Sequence, residues 1–302
     1  GGLMHRMFRV ETAEQAYAVK HLNPEVMSRP EAMGNFRRAE ALEQILEEAG
    51  IPILPALTVN GQKMLKLEGE YFYIYPWCNG QMTDLNHVTA EQCKMAGEIL
   101  GRIHALRPGR KTQAKPVQST IDWEKFIGMA NQRNHELALL LQENASLLYE
   151  SQEAMNRARL ALPNIECITN EDMDPKNVMW DHGKPIVIDL ECLNYGNPAS
   201  NALQLSLEWA GVSACRIHLD HVKAFFDGYQ DHYESDFMNY ESITGLSYTW
   251  VEWLAYNLSR ALDFNQDENE RKLGEREARR TFERIRYLHE TENSLRETFR
   301  WI

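Results

Sequence analysis

Cysteine is sparse and unorganised in this chain of 302 residues: there are five, at 78, 93, 167, 192 and 215, with no Cys-x-x-Cys spacing. An odd, scattered set excludes the disulfide framework of a small secreted domain and any cysteine-built zinc site. It reads as reduced thiols in a cytoplasmic protein. Long apolar runs are missing too, none approaching the roughly 18 residues of a membrane span. Basic charge is in deficit, with 32 Lys and Arg against 44 Asp and Glu, a formal net charge of −12 and a pI near 5.4. Such a surface repels a nucleic-acid backbone or an anionic membrane; it would suit a cationic small molecule, although acidity that serves solubility alone is the preferred reading. The sequence has no internal repeat and no low-complexity linker. Its opening, GGLMHRMFRV, lacks the charged-then-apolar layout of a signal peptide and reads as the middle of a domain, so native residues are expected before Gly1.

What is present suffices for a folded body. The chain is 43% apolar and 25% charged, which supports a sizeable core and, at this length, two lobes. MFRV (7–10) and AYAVKHL (16–22), separated by the polar ETAEQ, predict a hairpin. FRRAEALEQILEEA (36–49) places Phe36, Ala39, Leu42, Ile45 and Leu46 at helical spacing, and Gly50 stops it. IPILPAL, KMLKLEG and EYFYIYPW read as further strands, with turns at Asn60-Gly61 and Glu68-Gly69-Glu70. From about residue 89 the pattern is helical, interrupted after Pro163 by two short strands, VMW and PIVIDL, that HGK joins into a hairpin. After Pro198 it is helical again. The expectation is an α+β molecule: a mainly β lobe with one helix (1–79), joined through the CNGQ loop to a larger helical lobe (80–302).

Between the helical stretches stands NEDMDPKNVMW, residues 170–180. Asp172 and Asn177, four residues between them, precede one strand of that hairpin, and Asp189 ends the other. The fold-back therefore gathers three oxygen-bearing side chains. Phosphoryl transfer asks for such a set: a carboxylate to align and deprotonate the attacking hydroxyl, and hard oxygen ligands for magnesium. The Asp-x4-Asn spacing is that of the protein-kinase catalytic loop. Each residue alone is an ordinary turn former or strand end. Their order, the hairpin and the β lobe upstream carry the reading.

The loop, with PIVIDLE after it, resembles the aminoglycoside phosphotransferase and choline kinase-like family, and the resemblance covers nearly the whole chain. It implies a two-lobed, protein-kinase-like fold and transfer of the γ-phosphate of ATP (or GTP), with Mg2+, to a hydroxyl of an aminoglycoside- or choline-like acceptor. Asp172 is then the catalytic base, Asn177 and Asp189 are the magnesium ligands, and Glu191 is an acidic neighbour that orients them or meets the acceptor. AYAVKHL resembles the strand whose lysine grips nucleotide phosphates, making Lys20 that residue. Glu40 on the next helix would fix it, with Glu43 one turn on as the alternative. Gly1 and Gly2 stand where a glycine-rich turn would approach phosphates. EYFYIYPWCNGQ resembles the hinge between lobes. Aligned on Gly80, Tyr75 is the gatekeeper, the Pro76 carbonyl accepts from the adenine amine, and the Cys78 amide donates to a ring nitrogen. His104, in the helix after the hinge, reads as a satisfied core histidine.

The acceptor side is read more openly. Asp174 either steers a cationic group or is simply solvated, the second being preferred; Glu208 and Trp209 line the acceptor pocket or belong to the core. One departure stands out. The family's loop opens on His followed by Gly or Arg, and this chain has Asn170 and Glu171. Asn can donate and accept as that His does, yet the change leaves open a nucleotide-binding pseudokinase with a regulatory or scaffolding role.

Overall fold

The computed structural model of the chain describes residues 5–106, 110–111, 116–234, 239–263 and 265–302. The first elements are β1 (Arg6–Glu11), β2 (Ala16–His21), the one-turn α1 (Pro24–Met27), α2 (Ala32–Glu48), β3 (Leu65–Leu67) and β4 (Glu70–Pro76). The four strands form one antiparallel sheet in the order β1-β2-β4-β3. Asn60-Gly61 and Glu68-Gly69 make the expected turns, all four residues having positive φ. IPILPAL is not a strand. Its two prolines lack the donors a ladder needs; only Ile53 bridges, to Val187, with the Leu54 N–H donating to the Val187 carbonyl at 2.8 Å. That contact ties the sheet-bearing part to the hairpin carrying Asp189.

In register, Lys20 on β2 lies opposite Tyr73 on β4, and Ala18 opposite Tyr75. Directly opposed residues share a face of the sheet. Tyr73 and Tyr75 pack there with Phe36 of α2, Leu22 and Ala56 in a small core of their own. Lys20 is therefore sent into a buried layer, where its charge requires partners.

The rest is mainly helical: β5 (Gln81–Met82), α3 (Ala90–Ala105), β6 (Arg110–Lys111), α4 (Trp123–Arg133), α5 (His135–Glu143) and α6 (Ala145–Ala161) come first. Then follow β7 (Ile165–Asn170), β8 (Val178–Asp181), β9 (Lys184–Val187), β10 (Leu193–Gly196), α7 (Pro198–Trp209), α8 (Leu219–Gln230), α9 (Trp250–Leu262) and α10 (Glu268–Arg300). The β8–β9 hairpin forms as expected, turning through His182-Gly183 in positive φ. β7 and β10, which the sequence pattern does not reveal, pair antiparallel on either side of it. Helix α3 lies against α8 with backbones touching: a Cβ on Gly97 would sit 1.9 Å from the Phe225 carbonyl oxygen, and one on Gly228 2.1 Å from that of Lys94. This close crossing, which a side chain would prevent, brings His104 of α3 against Tyr229 of α8.

Candidate active site

The buried Lys20 ammonium reaches across from β2 to the turn after β9. It donates to Asp189 Oδ1 at 2.8 Å and lies 2.6 Å from Glu191 Oε1 in an ion-pair contact. Burial opposes its charge, but the carboxylates of Glu191 and Asp189 hold its pKa above the usual lysine value. The expected Lys20–Glu40 pairing is corrected here. Tyr73, opposite Lys20 and on its face, donates its hydroxyl to Glu40 Oε1 at 2.8 Å. Glu43 is committed elsewhere too, to Lys63 and to the Ala56 N–H. The carboxylates that meet Lys20 are thus Asp189 and Glu191, on the turn after β9, and not those of α2.

Asp189 adopts the left-handed conformation (φ 58°, ψ 63°) that begins a short 3-10 turn, Leu190–Cys192. Aspartate is among the few side chains that tolerate this region, and the reversal turns Asp189 and Glu191 toward Lys20. Burial pushes the Glu191 carboxyl up, yet the hydrogen bond from His5 and the charge of Lys20 outweigh it and hold the group below its ordinary range. Continuing the hairpin, the Ile188 N–H donates to the Asn177 carbonyl at 2.9 Å, so the backbones carrying the two proposed metal ligands are directly bonded neighbours.

The loop between β7 and β8 is anchored almost atom by atom. Asn201 of α7 clamps Asn170, its Oδ1 accepting from the Asn170 N–H at 3.3 Å and its Nδ2 donating to the carbonyl at 3.1 Å. Behind it stands His104, fully buried, 3.2 Å from the same Oδ1 and 2.8 Å from the Tyr229 hydroxyl. Since Asn201 Oδ1 can only accept, His104 Nε2 donates to it and Tyr229 donates to Nδ1. Asn170 Oδ1 then accepts from the Asp172 N–H at 3.1 Å. Asn170 thus supplies, without an imidazole, a side-chain bond to the loop backbone; its own Nδ2 is buried with no partner among the described residues. Asn177 Nδ2 donates to the Asp172 carbonyl at 2.8 Å, so the amide nitrogen is used on the backbone and the amide oxygen is left over. An amide oxygen and a carboxylate are the hard donors magnesium takes, so the residues present fit that ion.

On the acceptor side, Lys176, which sequence reasoning passed over, bridges Asp172 Oδ1 at 2.9 Å and Asp174 Oδ2 at 2.8 Å. Asp174 is not solvated. Its side chain is 17% exposed and also accepts from the Lys176 N–H, and burial holds its carboxyl above the ordinary range despite the lysine. Glu208 accepts from the Ser213 hydroxyl at 2.8 Å, and burial likewise raises its pKa, offset in part by Ser213 and Arg284. Arg284 itself lies over the Trp250 ring, 4.1 Å from its centre. Trp209 is no acceptor contact. It is wholly buried and donates its indole N–H to the Met173 carbonyl at 2.9 Å, a structural brace for the loop. Tyr75 is buried at the end of β4, and Cys78 Sγ accepts from the Gly80 N–H at 3.4 Å. Gly1 and Gly2 lie outside the described residues.

Comparison with known proteins bears on the family and the fold. Residues 1–237 match the family model described as "Phosphotransferase enzyme family". Among curated proteins the chain is similar to stress response kinase A of Salmonella typhi, 24% identical over 179 residues, covering 55% of this chain and 52% of that protein. The chain therefore spans about half the length of the curated relatives it matches. Among solved structures, spectinomycin phosphotransferase in complex with ADP and spectinomycin superimposes with a TM-score of 0.63 at 14% identity, over 99% of this chain and 89% of that one. Choline kinase LicA from Streptococcus pneumoniae gives 0.56 at 15% identity, over 95% and 91%. The fold is thus the two-lobed α+β fold of protein-kinase-like small-molecule kinases. With most of its length matched, this chain belongs to the phosphotransferase enzyme family.

Proposed function

We propose that the protein transfers the γ-phosphate of ATP, or of GTP, to a hydroxyl of a small cationic molecule. The nucleotide would lie where residues 1–79 meet residues 80–302, its phosphates gripped by Lys20 and its base against the backbone of Tyr75–Cys78. Asn177 and Asp189 would hold magnesium, which when bound neutralises phosphate charge and aligns the transferred group. Asp172 would accept the proton of the attacking hydroxyl; its backbone is fixed on both sides by Asn170 and Asn177, and its carboxylate is engaged by Lys176 through Oδ1 only. The observation that carries the reading is the meeting of Lys20 and Asp189, 169 positions apart in sequence, at a 2.8 Å bond beside this loop. A cationic acceptor is favoured by two half-buried carboxylates, Asp174 beside the base and Glu208, whose charge burial alone disfavours. Relatives named for spectinomycin and choline point the same way.

The test is a thermal-shift titration with ATP and GTP, with and without Mg2+, followed by a screen for ADP or GDP release over hydroxylated amines, sugars and protein serine or threonine. Stabilisation by a magnesium nucleotide and turnover with a cationic alcohol are expected. Binding without turnover on any acceptor would favour the regulatory reading that Asn170 and Glu171 leave open. No stabilisation by either nucleotide would overturn the proposal.

A further inference from the structure

We propose that His5 is a positioning residue for the phosphate-gripping lysine: it holds Glu191 so that Glu191, rather than a carboxylate of α2, aims the Lys20 ammonium. The inference rests on the nucleotide reading above. His5 is fixed on three sides. The Asn23 N–H donates to its Nδ1 at 2.9 Å, its Nε2 stands 3.1 Å from Glu191 Oε2, and its ring tilts against Phe36 with centroids 6.3 Å apart. Because Nδ1 accepts a hydrogen bond, the ring hydrogen sits on Nε2, the nitrogen that lies beside the Glu191 carboxylate. Asn23 is itself held, its Oδ1 accepting from the Glu25 N–H at 2.9 Å as it caps α1. Turning the His5 ring would therefore break a backbone hydrogen bond.

Glu191 spends one oxygen on each neighbour, Oε2 on His5 and Oε1 on Lys20. That division has a purpose. Lys20 has two acidic partners, but Asp189 is also the carboxylate assigned to magnesium, and an oxygen committed to a divalent cation is a poor partner for an ammonium. Glu40 and Glu43 are engaged by Tyr73, Lys63 and the Ala56 N–H. Glu191 is then the carboxylate left to hold Lys20 toward the nucleotide. On a short turn its side chain would sample several rotamers without a second anchor, and His5 supplies that anchor.

Two near-isosteric replacements separate the two ring nitrogens. His5→Gln carries an amide N–H to about the Nε2 position and loses the Nδ1 acceptor; His5→Asn keeps an acceptor near Nδ1 and loses the donor. Two readouts are compared in wild type, these variants, Glu191→Gln and the double variant His5→Asn/Glu191→Gln. One is the affinity for ATP with Mg2+ by calorimetry. The other is the side-chain 15N resonance of Lys20 in nucleotide-free protein labelled on lysine, assigned with Lys20→Arg. His5→Asn is expected to weaken ATP about tenfold and to shift the Lys20 resonance, with His5→Gln within about threefold of wild type and unshifted. The double variant should be no worse than Glu191→Gln alone, because both changes cut one relay. Equal losses in the Asn and Gln variants, or additive losses in the double variant, would overturn the assignment. If wild type binds neither ATP nor GTP, the nucleotide reading falls separately. The resonance then still decides the relay, a shift in His5→Asn alone supporting it and no shift overturning it.

Discussion

Asp172→Ala is expected to lower phosphoryl transfer by about 10²–10⁴-fold while leaving magnesium–nucleotide affinity within about threefold of wild type. The split follows from how the loop is built. The Asp172 N–H is held by Asn170 Oδ1 and its carbonyl by Asn177 Nδ2. Neither bond uses the carboxylate, so the backbone keeps its course when the side chain is removed. Met173 stays braced by Trp209, and Lys176 keeps its contact with Asp174. What is lost is the acid–base group and its contact with Lys176, whose ammonium is still held by Asp174. Steady-state kinetics with the acceptor found by screening, together with calorimetric nucleotide binding, would show kcat falling and binding preserved. A variant with wild-type kcat would remove Asp172 from the role, and one that no longer binds nucleotide would mean that the side chain, contrary to the bonding pattern, shapes the loop.

The second large effect is on stability in acid. His104 is fully buried, and burial pushes its pKa down to about 4 from the usual 6.5, the Asn201 contact opposing this only in part. In the unfolded chain the same imidazole titrates near 6.5. Between these values the unfolded state binds the additional proton, so stability rises with pH across the window and is lost as pH falls from 6.5 toward 4. The shift corresponds to about 3 kcal/mol. Urea unfolding of wild type at pH 7.5 and pH 4.5 should therefore show a larger drop than in His104→Gln, whose side chain does not titrate. Because His104 supports Asn201 and through it Asn170, loss of activity in acid should accompany or precede unfolding. Identical pH slopes in the two proteins would contradict the account.

Which parts of this were legible in the sequence depends on whether the cause was local. The β8–β9 hairpin was, because a His-Gly turn joins two short apolar runs, and with it came the neighbourhood of Asn177 and Asp189. IPILPAL misled because its apolar residues say strand while its prolines remove the donors a strand needs. β7 went unseen because IECITN is short, mixed in polarity and buried without alternation. The partner of Lys20 was not legible either. Helical spacing offers Glu40 or Glu43, and only the cross-strand register puts Tyr73 in position to take the Glu40 carboxylate. Trp209 at the end of an apolar helix reads equally well as core or pocket until its N–H is seen on the Met173 carbonyl. Asn201, one of two buried polar residues of α7 with Ser206, and His5 lie outside any motif and left no trace.

The central claim is that Asp172, Asn177 and Asp189 form one site around a divalent cation and a nucleotide. A crystal structure with a non-hydrolysable ATP analogue and Mn2+, an anomalous scatterer standing in for magnesium, tests it most directly. The predicted result is one anomalous peak at about 2.0–2.3 Å from Asn177 Oδ1 and an Asp189 carboxylate oxygen, bridging the phosphates, with the Asp172 carboxylate open to the γ-phosphate. A metal bound elsewhere, or phosphates that do not reach Lys20, would contradict it.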